Sequence, residues 1–227
     1  MSSASQRPRR RLSLEVSIAA LGVLGTALLG ISLAWNIIQV RGRTLDGALI
    51  QARVAYEKDI VFRRWNNQYG GVYVDAAVTP PNPYLADIPE RDISTPSGRK
   101  LTLVNPAYMT RQIYELEAKV SGLHGHITSL DPLRPQNAPD PWERTALEAF
   151  KRGVVEVNAV QPIDGKEYMR LMRPLITEEN CLACHHEPGY VLGKPWGGIS
   201  VSVPMKELHA IEWKSIRTVL LDRKSVV

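Results

Sequence analysis

Cysteine is scarce in this chain, with two in 227 residues. That excludes a scaffold built on disulfides and a four-cysteine zinc centre. The chain also lacks a Ser/His/Asp order, a phosphate-binding glycine loop and an HExxH zinc motif. No internal repeat or low-complexity stretch is present. Excess positive charge is missing from most of the length as well. The formal charge is +5, from 28 Lys+Arg against 23 Asp+Glu. Residues 1–40 hold Arg7, Arg9, Arg10 and Arg11 against Glu15 alone, so they carry +3 and residues 41–227 only +2. A nearly neutral remainder excludes a nucleic-acid groove. A composition 44% hydrophobic and 22% charged excludes a disordered tail.

What is present begins with a long apolar run. From Val16 to Val40 there are 25 residues without a charge, and about 20 apolar residues in helix cross a bilayer core. Gly22, Gly25 and Gly30 are tolerable in a membrane helix, and Trp35 fits an interfacial anchor. The arginines before the run predict a cytoplasmic N-terminus, which places residues 41 onward outside the cytoplasm. A cleaved signal peptide is the rival, since Ser32-Leu33-Ala34 weakly resembles a small-x-small cleavage site; the length of the run favours a retained anchor.

The rest is enough for one domain with its own core. Thr44 to Trp65 has apolar residues at helical spacing and reads as a helix running off the anchor. A glycine turn at Gly70-Gly71 leads into a short strand to Val74. Thr79 to Pro96, with five prolines, reads as loop. Leu101 to Val104 reads as a strand, and Asn105-Pro106 starts a helix running to about Val120. His126 to Leu130 is a strand. Asp140-Pro141-Trp142-Glu143 starts a second capped helix, stopped by Gly153. Asp164-Gly165 joins Val154–Val160 and Glu167–Pro174 in a hairpin. Gly198 to Val203 alternates as a strand, and Met205 to Leu221 is a last helix. The pattern predicts an α+β domain with a small antiparallel sheet and flanking helices after one N-terminal transmembrane helix, compatible with a PAS-like domain. The expected divisions are a basic tail 1–15, a transmembrane helix 16–40, a membrane-proximal helix 41–69, the domain 70–205 and a C-terminal helix 206–227.

Cys181-Leu182-Ala183-Cys184-His185 matches the C-x-x-C-H signature of c-type haem attachment. Two thiols at this spacing reach the two vinyl groups of haem, and the histidine that follows turns to the iron as proximal ligand. With both cysteines of the chain in the motif, a distal cysteine is excluded. Three other readings compete. A thioredoxin-like pair uses C-x-x-C near a helix start, whereas this pair follows a loop-like stretch from Thr177 to Asn180. A zinc site would need the adjacent His185 and His186 on one ion. A local disulfide or free thiols are the plainest. Haem c attachment takes place outside the bacterial cytoplasm, where the membrane reading puts this segment.

These residues, with others, resemble a known family. The resembling stretches are Arg64-Trp65, Gly70 to Val74, Pro80 to Leu85, Asn105 to Arg111, His126 to Leu130, Arg134 to Asp140 with Trp142-Glu143, Tyr168 to Pro174, Cys181 to His185, Gly189-Tyr190 and Gly197 to Pro204. Together they are similar to the haem c-binding, PAS-like sensor domain at the N-termini of bacterial sensor histidine kinases and diguanylate cyclases, a domain of unknown function related to the Tll-type haem protein. The likeness covers roughly residues 50–205 and implies a membrane-tethered haem sensor with a PAS-like fold. The chain departs from the pattern twice. Many members continue into a second span and a transmitter, whereas Met205 to Val227 is amphipathic; the expectation is a protein that works alone, one that signals through a separate partner, or a truncated gene. Tyr69 stands before the glycine pair where the family commonly has histidine.

The remaining candidates follow from the haem reading. Met109 and His126 lead as distal ligands, with His124, Met169, Met172, His186 or an open site holding water or a gas as alternatives. Arg111, Arg134, Arg170 and Arg173 are candidates for haem propionates, against ordinary ion pairs. Trp65, Trp142 and Trp196 fill the core or pack on the porphyrin. The expected function is a redox or small-gas sensor without enzymatic activity. It is anchored through residues 16–40 in the bacterial inner membrane with its domain in the periplasm, and it has a gas or redox partner, a separate signalling partner and a second copy as expected company. The rivals are a membrane-anchored electron-transfer cytochrome and a non-haem CxxC redox or metal module.

Overall fold

The apolar run and the helix expected after it form one uninterrupted element in the computed structural model, which describes residues 14–183 and 191–222. This helix, α1 (Leu14–Gln68), has 55 residues. Its first part exposes Val16, Leu21, Leu24, Leu28 and Ile31, and it is long and apolar enough to cross a membrane. The chain divides into two units, one of residues 1–44 with 210–227 and one of residues 45–209. In the first, Arg41 Nε lies 3.4 Å from a Glu212 carboxylate oxygen, and Ile216 is buried.

The second unit is α+β with two antiparallel sheets. β1 (Val72–Asp75), β2 (Asp92–Ser94) and β3 (Lys100–Val104) form one, in the order β1-β3-β2. The stretch expected to be all loop therefore supplies β2, held by pairing of Ile93 with Leu101. Next, α2 (Pro106–Val120) begins where Asn105 accepts the Tyr108 N–H and proline occupies the first turn. β4 (His124–Thr128) follows, then α3 (Pro141–Lys151), capped reciprocally by Asp140 and Glu143. Gly153, just past α3, has φ +93°, the left-handed conformation that glycine permits at a helix end.

β5 (Val157–Ile163) and β6 (Lys166–Ile176) meet at Asp164 and Gly165, whose φ values of 48° and 76° are both positive, as a type I′ hairpin requires. With β7 (Pro195–Pro204) they make the larger sheet, in the order β4-β7-β6-β5. Its register steps from Leu175↔Gly197 to Ile176↔Pro195, past Trp196, a bulge that re-aims the start of β7. The last helix is α4 (Lys206–Asp222).

Small residues bring α1 close to the sheet. Ala48, Ala52, Ala55 and Tyr56 recur on one helical face and pack against Leu171, Ile199, Val201 and Met205, the last four at 0% exposure. A second cluster joins Ala146, Leu147 and Phe150 of α3 to Met172.

Candidate functional site

A cavity of about 520 Å³ opens between α1, α2, β4 and the start of β7. That size falls in the usual range for small-molecule sites. From α2 come Tyr108, Arg111 and Tyr114, from α1 Arg63, and from the bulged end of β7 Trp196 and Gly197. The end of β6 and the segment after it close another side with Ile176, Thr177 and Cys181. Gly197 is required there, since a Cβ on it would stand 2.6 Å from the Thr128 carbonyl oxygen. A second cavity of about 590 Å³ adjoins the first, and Arg63 and Cys181 line both.

Cys181 is half-buried on a short 3-10 turn, Glu179–Ala183, and its Sγ accepts the Glu178 N–H at 3.4 Å. Cys184, His185 and His186 lie outside the described residues. Arg111 and Arg134 both line the first cavity. Arg111 sits over the Tyr108 ring at 4.4 Å, and Arg134 donates to Asn137 Oδ1 at 3.0 Å.

The other two candidate arginines are outside the cavity lining. Arg170 is ion-paired with Asp140 at 2.7 Å and with Glu143 at 3.2 Å, and it lies over the Trp142 ring. Arg173 pairs with Glu57 and, at 2.8 Å, with Glu156, which also receives Arg53 at 2.6 Å. Met109, half-buried on α2, is likewise outside the lining, and Met169 and Met172 belong to the two core clusters.

His126 does line the cavity, but its ring is held by its neighbours. Nδ1 lies 3.0 and 3.1 Å from the two Glu143 oxygens, and Nε2 is 3.4 Å from the Gln136 carbonyl. Burial pulls the imidazole down, yet the Glu143 hydrogen bond and charge outweigh it and raise the pKa. Burial would likewise raise Glu143, whose carboxyl is 2% exposed, but the bonds from His126, Ser200 and the Asp140 N–H bring it below the ordinary carboxylate value. Both ring nitrogens of His126 thus already face protein partners. His124 is exposed, with its ring edge-on to Tyr168 at 5.4 Å.

Arg63, Tyr114 and Asp59 are the residues that sequence reasoning passed over. Arg63 Nη1 reaches the Pro106 carbonyl and Thr110 Oγ1 only at 3.4 Å. Its pKa is lowered by burial, against the pull of Tyr114, Cys181 and Asp59. Tyr114 fits because position 125 is glycine: a Cβ there would meet its ring at 2.2 Å. The Tyr114 hydroxyl donates to Asp59 Oδ2 at 2.9 Å. The signal was the face of α1, where Ala52, Ala55, Asp59, Arg63 and Asn66 follow one another at helical spacing.

A sequence model of the Tll0287-like family matches residues 41–204. Among solved structures, the chain is similar to a crystal structure of the cyanobacterial heme-protein Tll0287. That likeness has 15% identity and a TM-score of 0.46, covering 69% of this chain and 94% of the other. No curated protein matches.

Proposed function

This chain belongs to the Tll0287-like family, and from that premise we propose that it is a membrane-anchored, extracytoplasmic haem c domain that senses redox state or a small gas. The observation that carries the proposal is the place of Cys181: the first thiol of a C-x-x-C-H signature lines a cavity of about 520 Å³. The residues present fit the group. Tyr108, Tyr114, Ile127 and Trp196 offer an apolar and aromatic wall, and Arg63, Arg111 and Arg134 bring positive charge to the same space. Haem would supply a one-electron iron centre able to respond to oxidation state or to a gas.

The chain's own part is to bind and orient. Cys181 and Cys184 would hold the group through thioether bonds, and His185 would be a ligand to its iron. Arg111 and Arg134 are placed to receive propionates. Arg170 and Arg173, held in ion pairs away from the cavity, fix α3 and α1 to the sheet instead. The reading is of a binding domain and not of an enzyme. Sensing is favoured over simple electron carriage because Arg63 and Asp59, beside the cavity, belong to α1. A change at the cavity then reaches residues 45–68 of that helix. The basic flank before Val16 supports an N-terminus in the cytoplasm and a domain in the periplasm, at the bacterial inner membrane.

The test is a pyridine haemochrome spectrum of the full chain made with a haem c maturation system. Covalent haem c that is lost in Cys181→Ser supports the reading, and its absence from the unaltered chain overturns it. Ferrous spectra with CO and NO then separate the two haem functions: a sensor binds a gas, and a carrier exchanges electrons quickly without binding one.

A further inference from the structure

Asp59 is an acid in the core of the larger unit, 2% exposed, on the face of α1 that meets α2. Among the described residues its Oδ1 has no hydrogen-bond partner, while Oδ2 accepts from Tyr114. No cation is in salt-bridge contact with it among the described residues. The charged and titratable groups that face it are Lys58 and Arg63 from α1 and Tyr114 and Glu117 from α2. Lys58 is paired with Glu117. Arg63 points to the cavity and to Pro106 and Thr110. A buried carboxylate left this bare is costly to keep charged, so its protonation responds to any charge added nearby.

The added charge has a natural source next door. Tyr114 touches Asp59 with its hydroxyl and lines the Cys181 cavity. On the haem reading above, on which this inference rests, we propose that Asp59 is a proton-binding site coupled to reduction: when a one-electron donor reduces the iron, Asp59 takes one proton from solvent. One electron and one proton enter, so the net charge of the buried region is conserved. The proton goes to Oδ1, since Oδ2 already accepts from Tyr114. Burial pushes the Asp59 carboxyl up to about 6, with the Tyr114 bond opposing, so the group is poised near neutrality before any electron arrives. A coupling of ordinary size makes proton binding on the order of tenfold tighter in the reduced protein.

The experiment is a spectroelectrochemical titration of the detergent-solubilised, haem-loaded full chain from pH 5 to 8. The midpoint potential of the unaltered protein is expected to fall as pH rises through the range around 6, and that of Asp59→Asn to stay flat there. Infrared difference spectra should gain a carboxylic acid C=O band on reduction, absent in Asp59→Asn. Tyr114→Phe, which removes the opposing hydrogen bond, moves the pH-dependent range upward and serves if Asp59→Asn does not fold. A haem-loaded protein whose potential is flat, or is equally pH-dependent in Asp59→Asn, overturns this proposal alone. A chain without covalent haem overturns the functional reading along with it.

Discussion

Replacing Glu143 with alanine should be among the most damaging single changes to the larger unit. The carboxylate is 2% exposed and accepts from Ser200 Oγ at 2.5 Å, from His126 and the Asp140 N–H each at 3.0 Å, and from Arg170 at 3.2 Å. It therefore ties α3, β4, β6 and β7 together at one point. In Glu143→Ala, Arg170 keeps Asp140 as its one ion-pair partner among the described residues, although its side chain is 6% exposed and its Nε already has no hydrogen-bond partner among them. Breaking a buried pair by removing one member costs about 3–5 kcal/mol, because the other charge is stranded. For a domain of this size each kcal/mol moves the thermal midpoint by roughly 2–4 °C, so a fall of about 6–20 °C is expected. The assay is thermal unfolding of the detergent-solubilised full chain followed by tryptophan fluorescence. Glu148→Ala, on the exposed side of the same helix, is the control and should stay within about 0.5 kcal/mol of the parent. A Glu143→Ala protein that melts with the control would refute the network as a source of stability.

Gly125→Ala should cost about 1–3 kcal/mol in the same assay, since the new Cβ stands 2.2 Å from a Tyr114 ring that its bond to Asp59 holds in place; an unchanged midpoint would mean that the ring swings aside. Acid should act on the stability of the chain in two opposite senses. Glu143 and Glu156 sit below their ordinary value of 4.5, Glu143 through the hydrogen bonds that outweigh its burial and Glu156 chiefly through Arg53. Their contribution is thus present above 4.5 and lost as pH falls through their lower folded values. Asp59 is raised by burial from 3.8 to about 6, so its contribution is present below 3.8 and lost as pH rises through about 6. In Asp59→Asn the decline of the thermal midpoint between about pH 4 and 6 should disappear, and its persistence would assign that decline to another group.

The parts of the fold that could be read from the sequence are those with local causes. Asn105-Pro106 fixes the start of α2, Asp140 and Glu143 fix that of α3, and Asp164-Gly165 turns the hairpin, each within a few residues. β2 was not legible because its three residues sit among prolines and exist only through pairing with β3. Likewise, the thiol Cys181 announced itself by spacing, whereas the Tyr114–Asp59 bond joins residues 55 positions apart. Arg170 and Arg173 looked like Arg111 and Arg134 in sequence. Only the fold shows that the first two meet Asp140, Glu143, Glu57 and Glu156, while the second two face the cavity.

β4 is one of the two edge strands of the larger sheet, and it is also a wall of the cavity. Residues 134–137 lie against it, with the Thr128 hydroxyl donating to the Asn137 carbonyl and His126 facing that of Gln136. This loop is thus a cover for strand groups that would otherwise invite pairing with another chain. A ligand that entered by lifting the loop would bare that edge, and a population of half-loaded molecules would be prone to stick to one another. The turn that carries Cys181 is not part of either sheet, so entry from its side leaves the edge covered throughout. Entry beside the thiol would therefore keep the sheet edge closed to other chains while the ligand is loaded.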